Sequence, residues 1–520
     1  MADFQETTYR FGPRPSSGFV LGLRVPQIVG FVAFGVIALA ILGSGGFGGL
    51  LAALAVMGVA VTVLILPLRG HTLEEWAPVL IRFLIGRLSR QHRFRGQLAQ
   101  TGHVIAIPDG GLDPRAAAEP ESTPAELCGL EFLEVALTDF NLARMGAIKD
   151  RNAKTYTAVL ACQGSAFALM DPEEREARLA DYGSVLSSLA RDGSPIRRVS
   201  WYERTVPGDG DALGSYMLDA MRDDVSLDSQ SNELVSYLQL LDRAGDVAQD
   251  HELMFAIQID ALRPAARRAI TRMGKGDTGA LAVLGGEVEQ VVRLLEEAAI
   301  NVTGVLTRRG IASAVRNGYD PWGRRQRERV VDRGAPHPQD GIAIATAGPV
   351  ARDEHWSHLR SDGALHCTLW VAEWPRIDVR ALFLQPLLMS TQTTRTVGMV
   401  MELVGPDKAI RHAERASTEA ATEQNIRDRV GQRTTRRQAQ RESAAVARER
   451  ELTEGHAAIR FAAYVTVSVP NSGPGAVDEL EAAVSRIEIQ TKQASLRLER
   501  MWGQQAEAMT YTLPLARGLR

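Results

Sequence analysis

Two long apolar runs open the pattern of hydrophobic and polar positions. The first, "PQIVGFVAFGVIALAIL", covers 26–42, and the second, "FGGLLAALAVMGVAVTVLILPL", covers 47–68. Neither contains a charge. Gly43, Ser44, Gly45 and Gly46 between them suit a tight connection. About 17–25 helical residues are needed to cross a bilayer core, so this pattern predicts a two-helix transmembrane hairpin. A signal peptide, a buried helical hairpin and a single span are the competing readings. Arg10, Arg14 and Arg24 precede the first run, and Arg69, Arg82, Arg87, Arg90, Arg93 and Arg95 follow the second. The positive-inside rule then predicts a multi-pass protein of the cytoplasmic membrane with two spans and both termini cytoplasmic. From Thr72 on, Trp76, Leu80, Leu84 and Leu88 recur at helical spacing. They predict a basic amphipathic helix whose arginines, Arg69 to Arg95 above, bind anionic head groups of the bilayer or are simply solvated.

Beyond a polar link at 108–124 the period changes to two. Tyr156, Ala158, Leu160 and Cys162 alternate as a strand, with "SAFALM" offered as its partner. Asp171, Pro172 and Glu174 then mark a helix start. Tyr182, Val185, Leu186 and Leu189 give that helix an apolar face, Gly193 stops it, and "PIRRVSWYERTV" returns as a strand. A second unit runs from Leu253, Phe255, Ile257 and Ile259 through a helix within 279–298 to "INVTGVL". A third runs from 459–469 through a helix from about Gly475 to "SLRLERM". This grammar predicts an α+β protein: ferredoxin-like α+β domains behind the hairpin. The stretch 407–456, rich in Ala, Arg, Glu and Gln, predicts a long helical arm broken near Gly431. The organisation expected is therefore 1–25 cytoplasmic, 26–68 hairpin, 69–107 basic membrane-proximal segment, 127–320 and 340–406 α+β, 407–456 arm, and 457–520 completing the α+β domain.

Composition narrows this little. The 520 residues are 45% hydrophobic with a net charge of -3, which suits globular domains and gives no reason to invoke a nucleic-acid partner. Cys128, Cys162 and Cys367 are too few and too scattered for a disulfide framework. Arginine far outnumbers lysine, as in GC-rich bacterial genomes.

Catalytic chemistry is not visible. There is no phosphate-binding loop; "RMGKGDTG" at 272–279 lacks the required glycine spacing. His355, His358, His366 and Cys367 have zinc-ligating side chains, but His366 and Cys367 are adjacent on a strand and point to opposite faces. Glu287, Glu289, Glu296 and Glu297 interleave with the apolar face of a helix and read as solvated. No catalytic, cofactor or metal residue is assigned, and the chain is not expected to be an enzyme.

The order "TLWVAEWPR", "VRALFLQPLL", "TVGMVMELV", the helical stretch, a strand, a helix and finally "QQAEAMTYTLPLARGLR" resembles the N-terminal domain of the assembly ATPases of type IV secretion and conjugation. Gln504, Gln505, Leu513 and Pro514 occupy the place where that family leads into its nucleotide-binding domain, which has no counterpart here. The hairpin is similar to the two-span inner-membrane subunit of those machines. The whole resembles an actinobacterial family associated with conjugative elements. The resemblance implies a non-catalytic inner-membrane structural subunit that anchors or recruits a separate secretion or conjugation ATPase. It would work with other machine subunits as a homo- or hetero-oligomer, and direct nucleic-acid contact is left open. An EccE-like component of a type VII system and a membrane-bound enzyme with an unrecognised site are the alternatives.

Overall fold

The structure is a computed structural model. It describes residues 8, 9, 11, 25–43, 46–65, 67–68, 71–96, 123–137, 144–164, 167–207, 236, 249–324, 341–389, 393–405, 408–411, 413–415, 418 and 458–519. The chain divides into two compact units. One comprises Met1–Gly12, Arg93–Met501 and Gln505–Arg520, the other Pro13–His92 and Trp502–Gln504.

In the smaller unit the apolar runs form α1 (Val25–Gly43) and α2 (Gly46–Ile65), which pack on one another. Gly30 lies against the Leu64 side chain, and Gln27 Nε2 donates to the Leu64 carbonyl at 2.8 Å. The second run does not all enter the helix. It stops at Ile65, and β1 (Pro67–Leu68) turns back to pair with β2 (His71–Thr72). No helix among the described residues is long and apolar enough to cross a membrane. The transmembrane hairpin is thereby corrected to a packed helical hairpin. The two-span placement in the cytoplasmic membrane, with both termini cytoplasmic, falls with it. The amphipathic segment is also shorter than its periodicity suggests. Helix α3 (Leu73–Leu88) opens with the Thr72 N–H donating to Glu75 and ends before Arg90, whose φ is 58°.

The larger unit replaces the expected ferredoxin-like domains with one antiparallel sheet of 13 strands. Its strands are β3 (Arg93–Arg95), β4 (Leu130–Val135), β5 (Met145–Asp150), β6 (Thr155–Gln163), β7 (Ile196–Pro207), β8 (Gln249–Asp260), β9 (Asn301–Val305), β10 (Ala351–Glu354), β11 (Leu359–Ser361), β12 (Ala364–Glu373), β13 (Arg395–Val404), β14 (Ala458–Pro470) and β15 (Arg497–Arg500). Their order is β3-β10-β11-β12-β14-β13-β7-β8-β6-β5-β4, with β15 beside β12 and β9 beside β6. The reason for the correction is the seam between β7 and β13. These two strands pair from Arg198↔Glu402 to Thr205↔Arg395 and so fuse the strand sets into one sheet. The "SAFALM" partner strand is corrected as well. Phe167–Leu169 form a single 3-10 turn, and β6 instead pairs with β5, β8 and β9.

An internal repeat explains the seam. Strand β6, helix α4 (Pro172–Leu189), β7, β8, a long helix and β9 follow one another. Strand β12, a short helix, β13, β14, a long helix and β15 repeat that order. Within each half the first strand lies between the third and the fourth, and the second lies beside the third. The two second strands pair antiparallel, with the middle of their register near Trp201↔Met399. Both residues touch the cores of both halves.

Strand periodicity distributes side chains to two buried faces. Phe255, Ile257 and Ile259 of β8 enter the core beneath α4 and α6 (Gly276–Glu297); α5 (Pro264–Arg272) adds Ala266 and Ile270. Met254 and Ala256 enter the opposite core beneath α7 (Arg308–Tyr319) and the C-terminal segment. Cys367, Leu369, Val465 and Val467 pack under α8 (Gln385–Leu388) and α9 (Ala476–Gln493). Near the chain start, Tyr9 pairs with Val379, and Phe11 sits 4.9 Å from Trp374 and 5.5 Å from Phe383. Of the expected helical arm, residues 408–411, 413–415 and 418 are helical; the rest, with Gly431, lies outside the described residues.

Candidate docking site

Residues 505–519 are hydrogen-bonded to the rest of the larger unit along their length. They lie across the β7–β13–β14 face opposite α4, α6 and α9. Helix α10 (Gln505–Met509) and the 3-10 turn Thr510–Thr512 lead into an extended stretch at Leu513 and Pro514, because proline cannot continue the helical bonding. Gln505 is fully buried and holds the segment to β12. Its Oε1 accepts from the Thr368 N–H at 2.8 Å, and its Nε2 donates to the carbonyls of Thr368 at 3.2 Å and Met501 at 2.8 Å. A hydroxyl ladder joins Thr368, Thr466 and Thr512 at 2.9 and 2.7 Å. Leu513 and Leu515 fill the core.

A glycine makes room for this close approach. Gly398 lies between Tyr202 and Tyr464 on neighbouring strands, and a Cβ there would come 3.0 Å from both the Tyr202 ring and the Tyr511 carbonyl oxygen. The two tyrosines then bind the segment end. The Ala516 N–H donates to the Tyr202 hydroxyl at 3.0 Å, and the Tyr464 hydroxyl donates to the Gly518 carbonyl. Burial pushes the Tyr202 phenol up to about 12, so it stays protonated.

The segment ends in a cleft of about 240 Å3 lined by Arg198, Glu507, Thr510, Tyr511, Arg517, Gly518 and Leu519. Arg198 donates to the Leu519 carbonyl at 2.8 Å, and Arg517 binds Asp150 and the Glu126 carbonyl. Beside Arg198, Arg197 bridges Asp260 at 2.6 Å and Glu402 at 3.2 Å. Arg263 reaches Glu402 at 3.0 Å and Arg460 reaches it at 3.5 Å. The carboxylates are the inner layer: Asp260 is 7% exposed and Glu402 11%, against 29% for Arg197, 30% for Arg263 and 56% for Arg460. Burial opposes ionisation of Glu402, but Arg197, Arg198 and Arg263 outweigh it and hold that carboxyl below its ordinary range. Burial and the neighbouring Arg197 lower Arg198. The corner therefore presents guanidinium groups outward over neutralising acids beneath.

The residues singled out in the sequence are dispersed. Arg69 lies outside the described residues, Arg82 and Arg87 are on α3, Arg90 follows it, and Arg93 and Arg95 are on β3. Arg93 pairs with Asp353 at 3.2 Å, and β3 extends the sheet edge along β10 rather than prolonging a basic helix. His355 and His358 stack with ring centres 4.5 Å apart, and burial pushes His358 down to about 4. His366 faces the other way from Cys367. Its Nε2 lies 3.0 Å from the Tyr319 carbonyl oxygen and its Nδ1 2.8 Å from the Ser468 hydroxyl, while Cys367 enters the α9 core, where burial pushes its thiol up to about 12. Among the described residues no group of three or more His, Cys, Asp or Glu is placed to hold a metal ion. Glu287, Glu289, Glu296 and Glu297 lie along α6, and burial raises Glu287.

Arg198, Arg263, Arg460 and Arg517 were not legible as a group. Only the Arg197-Arg198 pair is contiguous, and the others are brought in from a strand end, a loop and the C-terminal segment. No protein-family model matches the chain, and no curated protein matches it.

Proposed function

We propose that this chain is a non-catalytic structural subunit of a conjugation- or type IV secretion-like translocation machine, and that it recruits a separate ATPase. The observation that carries the reading is the strapped segment 505–519. In the family that the sequence resembles, the equivalent stretch leads into the nucleotide-binding domain. Here it is fixed along its length by Gln505, Thr512, Ala516, Arg517 and Leu519, and it ends at an arginine-rich cleft. A rigidly held segment beside a charged cleft is suited to positioning a partner. The work assigned to the chain is placement: its sheet holds the ATPase while the ATPase supplies the chemistry.

The test is co-purification of the full chain with the Walker-motif ATPase encoded nearest to it, repeated after deletion of residues 407–456. A stable complex is expected. Absence of any complex, or ATP hydrolysis by this chain alone, would overturn the reading. Unchanged binding after the deletion would leave the sheet and its cleft as the docking element and remove the arm from that role.

A further inference from the structure

The resemblance says nothing about what chemistry would hold the partner, and the charge layering at the C-terminal corner does. Four arginines from three different parts of the fold converge there: Arg197 and Arg198 from β7, Arg263 from the turn before α5, and Arg460 from β14; Arg517 of the C-terminal segment lines the adjoining cleft with Arg198 and pairs with Asp150. Their counter-charges Asp260, Glu402 and Asp150 are each largely buried. Glu402 alone is shared by Arg197, Arg263 and Arg460. Asp260 also pairs with Arg197, so the guanidiniums of Arg197, Arg263 and Arg460 form a more exposed layer over two buried carboxylates. The row Gln258–Arg198–Glu402–Arg460 runs across four adjacent strands on the same sheet face, which makes the patch a rigid surface rather than a set of loose side chains. Guanidinium forks match carboxylates in geometry as well as charge.

We infer that this corner binds a carboxylate-rich peptide segment of a partner protein, held across the outward guanidiniums of Arg197, Arg263 and Arg460 beside the cleft. This deepens the docking reading proposed above and rests on it for the partner's identity. A nucleic-acid backbone is the competing occupant. The compact patch, centred on two buried carboxylates and beside a small cleft, fits a few closely spaced carboxylates better than the long basic track that a polyphosphate chain requires.

The experiment uses the full chain and two fluorescein-labelled probes, a glutamate decapeptide and an oligothymidylate of equal length, followed by anisotropy at low and high salt. The peptide is expected to bind and to weaken as salt rises. Arg263→Ala with Arg460→Ala should weaken it by about tenfold, since each removes one partly exposed charge contact. The double Lys variant, keeping both charges, should recover most of the loss, and a thermal melt of each variant separates binding from folding. No peptide binding, equal binding by the double Ala variant, or tighter binding of the oligonucleotide overturns the inference. Co-purification divides the two proposals. ATPase held by the wild type and lost from the double Ala variant supports both. ATPase held equally by both chains overturns the inference and leaves the docking reading standing. ATPase held by neither overturns the docking reading, and the peptide titration then decides the inference on its own.

Discussion

Replacing Gln505 by alanine should release the C-terminal segment while leaving the sheet folded. The Gln505 side chain completes the edge of β12 where β15 has ended. The Thr368 N–H has the Gln505 carbonyl oxygen as its partner, and the Met501 carbonyl accepts from the Gln505 amide. The Thr368 carbonyl keeps a second donor, the Met501 N–H at 3.1 Å, so it is not orphaned. The substitution therefore strands one buried donor and one partly buried acceptor and removes one buried methylene with the carboxamide. An orphaned buried polar group costs about 1–3 kcal/mol and a methylene about 0.8 kcal/mol, which together give about 3 kcal/mol for this site. That energy is local, so it should appear in the opening of residues 505–519 rather than in the global melt. A loss of about 3 kcal/mol is about a hundredfold in an equilibrium constant. Amide hydrogen exchange followed by mass spectrometry should show the amides of this segment, Ala516 among them, exchanging about a hundredfold faster. Exchange in β8 should stay unchanged. A change of less than threefold in the segment would refute the assignment of Gln505 as its anchor.

Three other outcomes follow from the same structure. His366 is buried and bonded as a neutral ring, and its burial sets its folded pKa at about 4, below the ordinary 6.5. A depressed folded pKa stabilises above the unfolded value and is lost as pH falls toward the folded one. Urea midpoints should therefore drop between pH 7 and 5, with His366 contributing the equivalent of about 2 kcal/mol, and His366→Gln should reduce that slope without abolishing it, because His358 is also lowered to about 4. Arg352→Ala should cost about 3–5 kcal/mol in chemical denaturation, because it leaves the buried Glu126 without the guanidinium that lies 2.6 Å away. Phe11→Ala should free the start of the chain for proteolysis and shift Trp374 fluorescence, with about 1 kcal/mol lost from ring contacts at 4.9 and 5.5 Å.

Most strands and long helices were legible because their signals are local. The alternation at Leu253 to Ile259 marks β8, and Asp171-Pro172 marks the start of α4. The sheet was not legible, because nothing local couples Trp201 to Met399, about two hundred residues away. Strands buried on both faces also carry no polar alternation to reveal what covers them. That is why the units read as separate ferredoxin-like domains. The hairpin reads as spanning from uncharged apolar content alone, whereas among the described residues no helix is long and apolar enough to cross a membrane and the second run ends in the β1–β2 pair. In the candidate site, Gln505, Leu513 and Pro514 were singled out from resemblance alone, whereas their contacts with Thr368 and the opposite core appear only in three dimensions. The arginine corner left almost no trace, since Arg263 and Arg460 meet at Glu402 only after the two halves have joined.

The most direct test of the docking account is a calorimetric titration of the full chain into the separate ATPase at low and high salt. The account predicts a saturable complex whose affinity falls with salt and falls again with the double substitution at Arg263 and Arg460. No heat of binding at either salt concentration would contradict it.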